Sequence, residues 1–196
     1  MINLGNNFNR NVNKPQYYIF IILLLIPLSI FNIAEKESKT KQGGLKSCRT
    51  IDTSGSANSS LKLNCLDGSE VVNFYQIRGP IVVNIWGSWC EGCRREMPYF
   101  VELYQNKLFK NGEIKLLGVN IEESSRQTGV NFIKVYGMSW PHLEDLAGKT
   151  KILFGPGAPV TWFIDKDGKV VNKHIGAYTD RDQLFTQVEK AFGVKL

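Results

Sequence analysis

Short apolar runs alternate with amphipathic stretches along most of this 196-residue chain, and that alternation limits the folds open to it. Residues 81–86 read IVVNIW, a run rich in β-branched side chains, as in a strand that is covered on both faces. A helix is predicted to start after Cys90, because apolar residues recur on one face of the stretch that follows. A second buried strand is predicted at residues 114–121, and a second helix at residues 124–136.

The C-terminal part continues this pattern with a hairpin and a last helix. Strands are predicted at residues 160–164 and 169–175, joined through Asp167-Gly168, because glycine tolerates the positive φ that hairpin turns require. Thr179 is predicted to cap the final helix. With two short strands before residue 75, the element order predicts an α/β three-layer sandwich, a central mixed β-sheet flanked by helices.

The formal net charge of +6 is unevenly distributed along the chain. Residues 1–47 carry +4 of it, and the remaining residues carry only +2, without a basic run longer than Arg94-Arg95. Nucleic acid is bound by clustered basic side chains, and the predicted folded part has no such cluster. We therefore expect no nucleic-acid partner.

Residues 17–34 form an apolar segment without a charged side chain, and its 18 residues lie at the short end of what spans a bilayer as a helix. We predict a transmembrane anchor or an uncleaved signal there. A cleaved signal peptide is the alternative, although Asn32 fits a cleavage site poorly. A buried core helix is disfavoured, because the segment has no polar face. Residues 1–16 would then form a cytoplasmic tail, residues 35–60 a tether and loop, and residues 61–196 the folded domain.

Cys90 and Cys93 are the candidate catalytic residues. They stand three positions apart between a predicted strand and a predicted helix, the setting of a redox-active C-x-x-C disulfide, which needs no cofactor. Unpaired N–H groups and the helix dipole favour a thiolate at Cys90, and Cys93 can then attack a mixed disulfide to release the product. Half of a zinc site is the alternative, but the other cysteines and the histidines do not stand at ligand spacing, so no metal is expected.

Two segments resemble the thioredoxin superfamily: residues 82–98, VVNIWGSWCEGCRREMP, and residues 158–171, APVTWFIDKDGKVV. They are most similar to its membrane-anchored, extracytoplasmic branch, the TlpA/ResA-type thiol–disulfide oxidoreductases with a redoxin (AhpC/TSA-like) domain. The resemblance implies a thioredoxin-like fold over residues 61–196 and a Cys90–Cys93 disulfide that is exchanged with exported cysteine-containing proteins. It also implies a membrane electron donor, and many relatives reduce apocytochrome c before haem attachment.

The resemblance implies roles for single residues as well. Pro159 matches the cis-proline opposite the active site, where the backbone of Ala158 would meet a substrate strand; an ordinary loop proline is the alternative. Glu96 matches an acidic residue near the active site that handles protons or selects substrate, and a solvated helix residue is the alternative. Trp89 is expected to border the reactive sulfur. Asn84 stands where cytosolic thioredoxins carry a buried aspartate, and an amide cannot titrate.

Cys48 and Cys65 form a second pair, 17 positions apart on the segment that leads into the domain. In an oxidising compartment they would close a structural disulfide worth about 3 kcal/mol. A redox relay to Cys90–Cys93 and unpaired thiols are the alternatives. An anchored redox domain with an extra even pair of cysteines points outward, so we expect a single-pass protein of the cell membrane with an extracytoplasmic catalytic domain.

Two other functions compete with an oxidoreductase. In one, the chain is a thioredoxin-fold binding module whose cysteines only lock the structure. In the other, it is a peroxide-reducing enzyme, which would need a lone peroxidatic cysteine, whereas both central cysteines here share one C-x-x-C. The histidines, His142 and His174, are expected to be surface or packing residues rather than copper ligands.

Overall fold

The computed structural model describes residues 45–196. The predicted cytoplasmic tail (residues 1–16), the predicted anchor (residues 17–34) and the first part of the predicted tether lie outside the described residues. Among the helices of residues 45–196, none combines the length and the apolar character needed to cross a bilayer.

Seven strands of the described chain form one mixed sheet, in the order β2-β1-β5-β4-β3-β6-β7. They are β1 (Lys62–Cys65), β2 (Val71–Asn73), β3 (Ile81–Trp86), β4 (Lys115–Ile121), β5 (His142–Asp145), β6 (Val160–Ile164) and β7 (Val170–Ile175). Strand β3 runs parallel to β4 and antiparallel to β6, and the central strand β4 runs parallel to β5. The other pairs, β1 with β2, β1 with β5 and β6 with β7, are antiparallel.

The helices cover the two faces of the sheet unequally. Those of the described chain are α1 (Glu91–Gln105), α2 (Lys107–Lys110), α3 (Arg126–Tyr136), α4 (Lys151–Phe154) and α5 (Arg181–Phe192), with short 3₁₀ turns at Cys48–Thr50 and Phe74–Gln76. The three long helices, α1, α3 and α5, pack into the core on one face. The short α4 and the two 3₁₀ turns pack into the core on the other. The predicted thioredoxin-like α/β fold, a mixed sheet flanked by helices, is confirmed.

Strand β3 shows how the sequence builds two cores. All six of its residues are buried. Successive side chains of a strand point to opposite faces, so Val82 and Trp86 enter the core under the long helices, whereas Val83 and Ile85 enter the other core. Strand β3 ends at Trp86, and the chain leaves the covered part of the sheet there. The cysteine motif follows directly after this point.

The folded unit begins earlier than the predicted boundary at residue 61. Cys48 and Ile51 are only 1% and 6% exposed and belong to the core. Lys46 forms a parallel bridge with Pro141. The start of the folded unit therefore lies within the predicted tether. Isolated apolar residues in a polar stretch have no periodicity, which is why the sequence pattern did not reveal this boundary.

The last helix is capped one residue later than predicted. The carboxylate of Asp180, rather than the hydroxyl of Thr179, accepts a hydrogen bond from the N–H of Gln183 at 2.8 Å. The N–H of Thr179 donates to the side chain of Gln183 at 3.1 Å. A carboxylate at this position also meets the positive end of the helix dipole, an advantage that a hydroxyl lacks.

Candidate active site

Cys90 and Cys93 lie where β3 leads into α1, at the edge of the sheet where the parallel strands β3, β4 and β5 end. They are joined in a disulfide with their Cα atoms 5.3 Å apart. Cys90 is the N-cap of α1, and its sulfur accepts a hydrogen bond from the N–H of Cys93 at 3.0 Å. Cys90 is 5% exposed and Cys93 is fully buried. The sulfur of Cys90 is therefore the one nearer to solvent.

Pro159 packs directly against this motif. The Ala158–Pro159 peptide bond is cis, and the antiparallel register of β6 and β3 places Val160 opposite Ile85. This register brings Pro159 to the same edge of the sheet as the two cysteines. A Cβ at Gly92 would lie 3.2 Å from the Cδ of Pro159, so the lack of a side chain between the cysteines lets α1 approach the proline closely.

Ala158 presents free backbone groups beside the motif. The residue is half-buried, and within residues 45–196 neither its N–H nor its C=O takes part in a main-chain hydrogen bond. A free N–H and C=O next to a sheet are what an added strand pairs with.

Glu96 is completely buried one turn after Cys93. Its carboxyl oxygens accept hydrogen bonds from the side-chain amide of Asn84 at 2.9 Å and from the N–H of Tyr178 at 3.1 Å. Burial raises the pKa of Glu96 to about 7, although the two hydrogen bonds favour the ionised form. The alternative that Glu96 is a solvated helix residue is wrong. A carboxyl that titrates near neutrality can both accept and return a proton.

Asn84 has a role that the sequence pattern did not reveal. It is fully buried in β3, and its side-chain amide donates to Glu96 and, at 3.5 Å, to the hydroxyl of Thr161 on β6. Asn84 therefore holds the buried carboxyl group of Glu96 in place. Asn84 and Glu96 lie 12 positions apart on a strand and a helix, so no periodicity connects them.

A second buried acid, Glu123, fixes the loop before Cys90, and it was not among the predicted site residues. Its carboxylate accepts hydrogen bonds from the N–H of Ser88 at 2.5 Å, from the hydroxyl of Ser88 at 2.7 Å and from the amide of Asn120 at 2.9 Å. The carbonyl of Ser88 accepts a hydrogen bond from Arg94 at 2.9 Å. One signal points to Glu123: it follows β4, whose carboxyl end lies beside that of β3.

Trp89 stands between this loop and Cys90 and is 47% exposed. Its indole N–H donates to the carbonyl of Ile121 at 3.3 Å. A Cβ at Gly87 would overlap the indole ring, so this glycine makes room for it. The ring therefore has a defined place next to the cysteine motif while leaving an apolar surface open to solvent.

Cys48 and Cys65 are joined in a second, buried disulfide with their Cα atoms 5.9 Å apart. Cys65 ends β1, and β5 and β4 lie between β1 and β3, so about 14 Å of sheet separates those two strands. Direct exchange with the Cys90–Cys93 pair would need a large movement of core segments. Within residues 45–196, the group formed by Cys48, Cys65 and Asp67 has metal-binding atoms close together, but the disulfide leaves no thiolate there.

The two histidines pack against aromatic rings. His142 is buried, with its ring centroid 5.5 Å from those of Trp86 and Trp140, and burial lowers its pKa to about 3. His174 is half-buried and stacks on Tyr178 at 4.0 Å. Neither belongs to a group of metal-binding side chains within the described part of the chain.

Fold and site together define a thioredoxin-like α/β protein with a cysteine pair at the start of a helix. Residues 55–173 match the AhpC/TSA family, and the chain belongs to this family. The thiol-disulfide oxidoreductase ResA of Geobacillus thermodenitrificans is 32% identical over 136 residues, which cover 68% of this chain and 76% of that protein. ResA of Bacillus anthracis is 35% identical over 111 residues, 56% of this chain and 62% of that protein. The chain thus spans less than two thirds of that relative's length.

Solved structures share the fold. A secreted disulfide oxidoreductase of Mycobacterium tuberculosis, homologous to E. coli DsbE, is similar with a TM-score of 0.57 at 19% identity, over 67% of this chain and 96% of that one. StoA of Bacillus subtilis is similar with a TM-score of 0.50 at 22% identity, over 65% of this chain and 95% of that one.

Proposed function

We propose that this chain is a protein thiol–disulfide oxidoreductase that exchanges its Cys90–Cys93 disulfide with exported cysteine-containing proteins. One observation carries the proposal: the sulfur of Cys90 caps helix α1, with Cys93 buried one turn behind it and Pro159 packed against the residue between them. The relatives named thiol-disulfide oxidoreductase ResA support this reaction class.

Reduction of a substrate disulfide takes two exchange steps. The N–H groups at the start of α1 stabilise the thiolate of Cys90, which attacks one substrate sulfur and releases the other as a thiolate. Cys93 then gives its proton to the carboxylate of Glu96 and attacks the mixed disulfide at Cys90. This attack releases the second substrate sulfur and closes the Cys90–Cys93 disulfide. The substrate gains two electrons and two protons, one proton returned by Glu96 and one taken from solvent.

The substrate segment binds in extended form across the motif. The free N–H and C=O of Ala158 pair with it as with an added strand, and Pro159 keeps that backbone next to the sulfur of Cys90. The exposed ring of Trp89 contacts the substrate on the other side of the sulfur.

The domain acts outside the cytoplasm, held at the cell membrane by a single span over residues 17–34. Two disulfides among the described residues support an oxidising compartment, and the buried pair of Cys48 and Cys65 serves there as a structural crosslink. Each turnover leaves Cys90–Cys93 oxidised, so a membrane electron donor must reduce the pair again. Apocytochrome c is the substrate that the resemblance to the ResA-type branch favours.

Cys93→Ser tests the exchange mechanism. A serine hydroxyl cannot displace a thiolate near neutral pH, so substrate proteins should remain attached to Cys90 as mixed disulfides. Non-reducing gels of the full chain expressed with its natural partners should show these species as bands that collapse on reduction. Cys48→Ser is the matched control and should trap nothing.

Each other outcome selects another model. Equal trapping by Cys48→Ser would support the relay between the two pairs. The absence of trapping by Cys93→Ser would contradict the exchange mechanism and favour a binding module. Consumption of hydrogen peroxide by the reduced chain, faster than its reduction of protein disulfides, would favour a peroxide-reducing enzyme.

A further inference from the structure

A series of hydrogen-bonded side chains leads from Glu96 away from the cysteine motif, and the proposed mechanism does not use it. Asn84 connects Glu96 to the hydroxyl of Thr161 on one side. On the other side, the N–H of Tyr178 donates to Glu96 at 3.1 Å, and the phenol of Tyr178 donates to the side-chain carbonyl of Gln187 at 3.0 Å.

Tyr178 contacts Glu96 directly through its backbone. Its N–H donates to Oε2 of the carboxyl group, while the amide of Asn84 donates to Oε1. A movement of Tyr178 would therefore disturb the hydrogen bond to Oε2.

Tyr178 is itself fixed from outside by two residues. Its buried ring stacks on the imidazole of His174, with centroids 4.0 Å apart and an angle of 13° between the planes. Gln187 on α5 joins the two, because its side chain bonds the Tyr178 hydroxyl and, at 3.2 Å, Nδ1 of His174. We call Tyr178, Gln187 and His174 the tyrosine clamp.

We propose that Tyr178 is a positioning residue for Glu96 and that Gln187 and His174 hold it in place. The inference rests on the proposed function, in which Glu96 takes the proton of Cys93. Both hydrogen bonds to the carboxyl group favour its ionised form. A displaced Tyr178 would weaken the bond from its own N–H and leave Glu96 protonated up to a higher pH, so the clamp sets the pH range in which Glu96 can accept a proton.

Few titratable groups face Glu96 in the described chain. Its own helix presents Cys93 one turn earlier, and the loop before α5 presents Tyr178. Strands β3 and β6 present the neutral side chains of Asn84 and Thr161, and His174 on β7 contacts Tyr178 instead. Burial raises the pKa of Tyr178, so its phenol stays neutral while Glu96 titrates.

The test measures the rate of alkylation of Cys90 by iodoacetamide against pH in the reduced full chain. Glu96→Gln identifies the inflection that belongs to Glu96. Tyr178→Phe keeps the ring and removes the hydroxyl, and it should move this inflection upward by about 0.5 to 1 pH unit. In the Glu96→Gln background, Tyr178→Phe should leave the pH profile of alkylation unchanged. A substitution that disturbed the structure in general would change the profile in this background as well.

Gln187→Leu provides a second, less buried substitution and should shift the inflection in the same direction, even if Tyr178→Phe does not fold. Tyr136→Phe is the matched control, because that ring packs on Phe132 and should shift nothing.

Three outcomes would overturn the proposal. They are an unmoved inflection in both variants, an equal shift in the Glu96→Gln background, and a wild-type chain without a Glu96-dependent inflection. Protein disulfide reduction is measured separately, so an inactive chain that shows the expected shifts would contradict the proposed function alone.

Discussion

At the scale of single residues, the two cysteines of the motif have different surroundings. Cys90 lies at the free N–H groups of α1 and retains a small exposed surface, whereas Cys93 is enclosed by the core. A thiolate gains from the helix N-terminus and from water; both cysteines lie near the start of α1, but Cys93 is shielded from water in the described structure.

We therefore expect iodoacetamide to alkylate Cys90 before Cys93 in the reduced chain, at a rate about tenfold higher or more. At a pH below both pKa values, a difference of one unit between the pKa values of two thiols alone changes the thiolate fraction by that factor. Peptide mapping by mass spectrometry at short reaction times measures it. Preferential labelling of Cys93 would reverse the assignment of the attacking sulfur.

Glu96 should make the stability of the fold depend on pH. Its folded-state pKa, about 7, lies above the value of about 4.3 in an unfolded chain, so the folded state binds the proton more tightly. The stability that follows from this difference is fully present below about pH 4 and is lost as the pH rises through 7. Urea unfolding of wild type and Glu96→Gln at pH 5 and pH 8.5 measures the effect. The wild type should lose up to about 3 kcal/mol relative to the variant, and parallel curves at both pH values would contradict the raised pKa.

At the scale of elements, the approach of α1 to the loop before β6 sets the distance between the cysteine motif and the backbone of Ala158, where we propose that the substrate binds. Gly92 is where they touch: an added Cβ would lie 3.2 Å from Pro159 and 3.3 Å from Ala177. Contacts this short require the neighbouring atoms to move by a few tenths of an ångström. Helix α1 would then be displaced from the backbone of Ala158.

Gly92→Ala should lower the rate of protein disulfide reduction by roughly tenfold, because small displacements of reacting groups are costly. Its free energy of unfolding should fall by up to about 2 kcal/mol, since overpacking costs about 1–3 kcal/mol and alanine regains about 1 kcal/mol of helix propensity. Gly157→Ala is the matched control, because its added Cβ would meet no atom within 4 Å beyond its own chain neighbours in the described structure. Equal activity of the two variants would show that this contact does not position the motif.

The elements themselves were largely predictable, whereas the contacts between them were not. Strand β3 and the start of α1 follow from a β-branched run and a cysteine motif that local chemistry already defines. The bond between Asn84 and Glu96 depends on how α1 lies on the sheet, and the bond between Ser88 and Glu123 depends on the register of β3 and β4. Such contacts are set by tertiary packing, which leaves no periodic signal in one sequence.

At the scale of the whole molecule, the second disulfide joins the first described segment to the sheet. Cys48 lies in a three-residue 3₁₀ turn, and Cys65 ends a four-residue strand, so both elements are short. A crosslink between such elements restricts the unfolded chain and thereby favours the folded one.

Replacement of Cys48 and Cys65 together by alanine should lower the free energy of unfolding by about 3 kcal/mol, as expected for a loop of this length. Urea unfolding of the double variant and of wild type measures the loss, and the rate of protein disulfide reduction in folded samples should stay within about twofold of wild type. An unchanged stability would show that packing alone holds the segment. A large loss of activity in the folded variant would revive the relay between the two pairs.

The same crosslink has a mechanical consequence. A load applied to the chain ahead of Cys48 passes through a covalent bond into β1, which lies between β2 and β5 in the sheet. Without that bond, the load would fall on the short 3₁₀ turn and on two isolated bridges, one between Lys46 and Pro141 and one between Asp52 and Arg78. With the bond, strand β1 must be sheared from both neighbours at once. The domain can therefore bear tension along its N-terminal segment. Helix α1 keeps its geometry, because it follows β3, which is separated from β1 by two other strands.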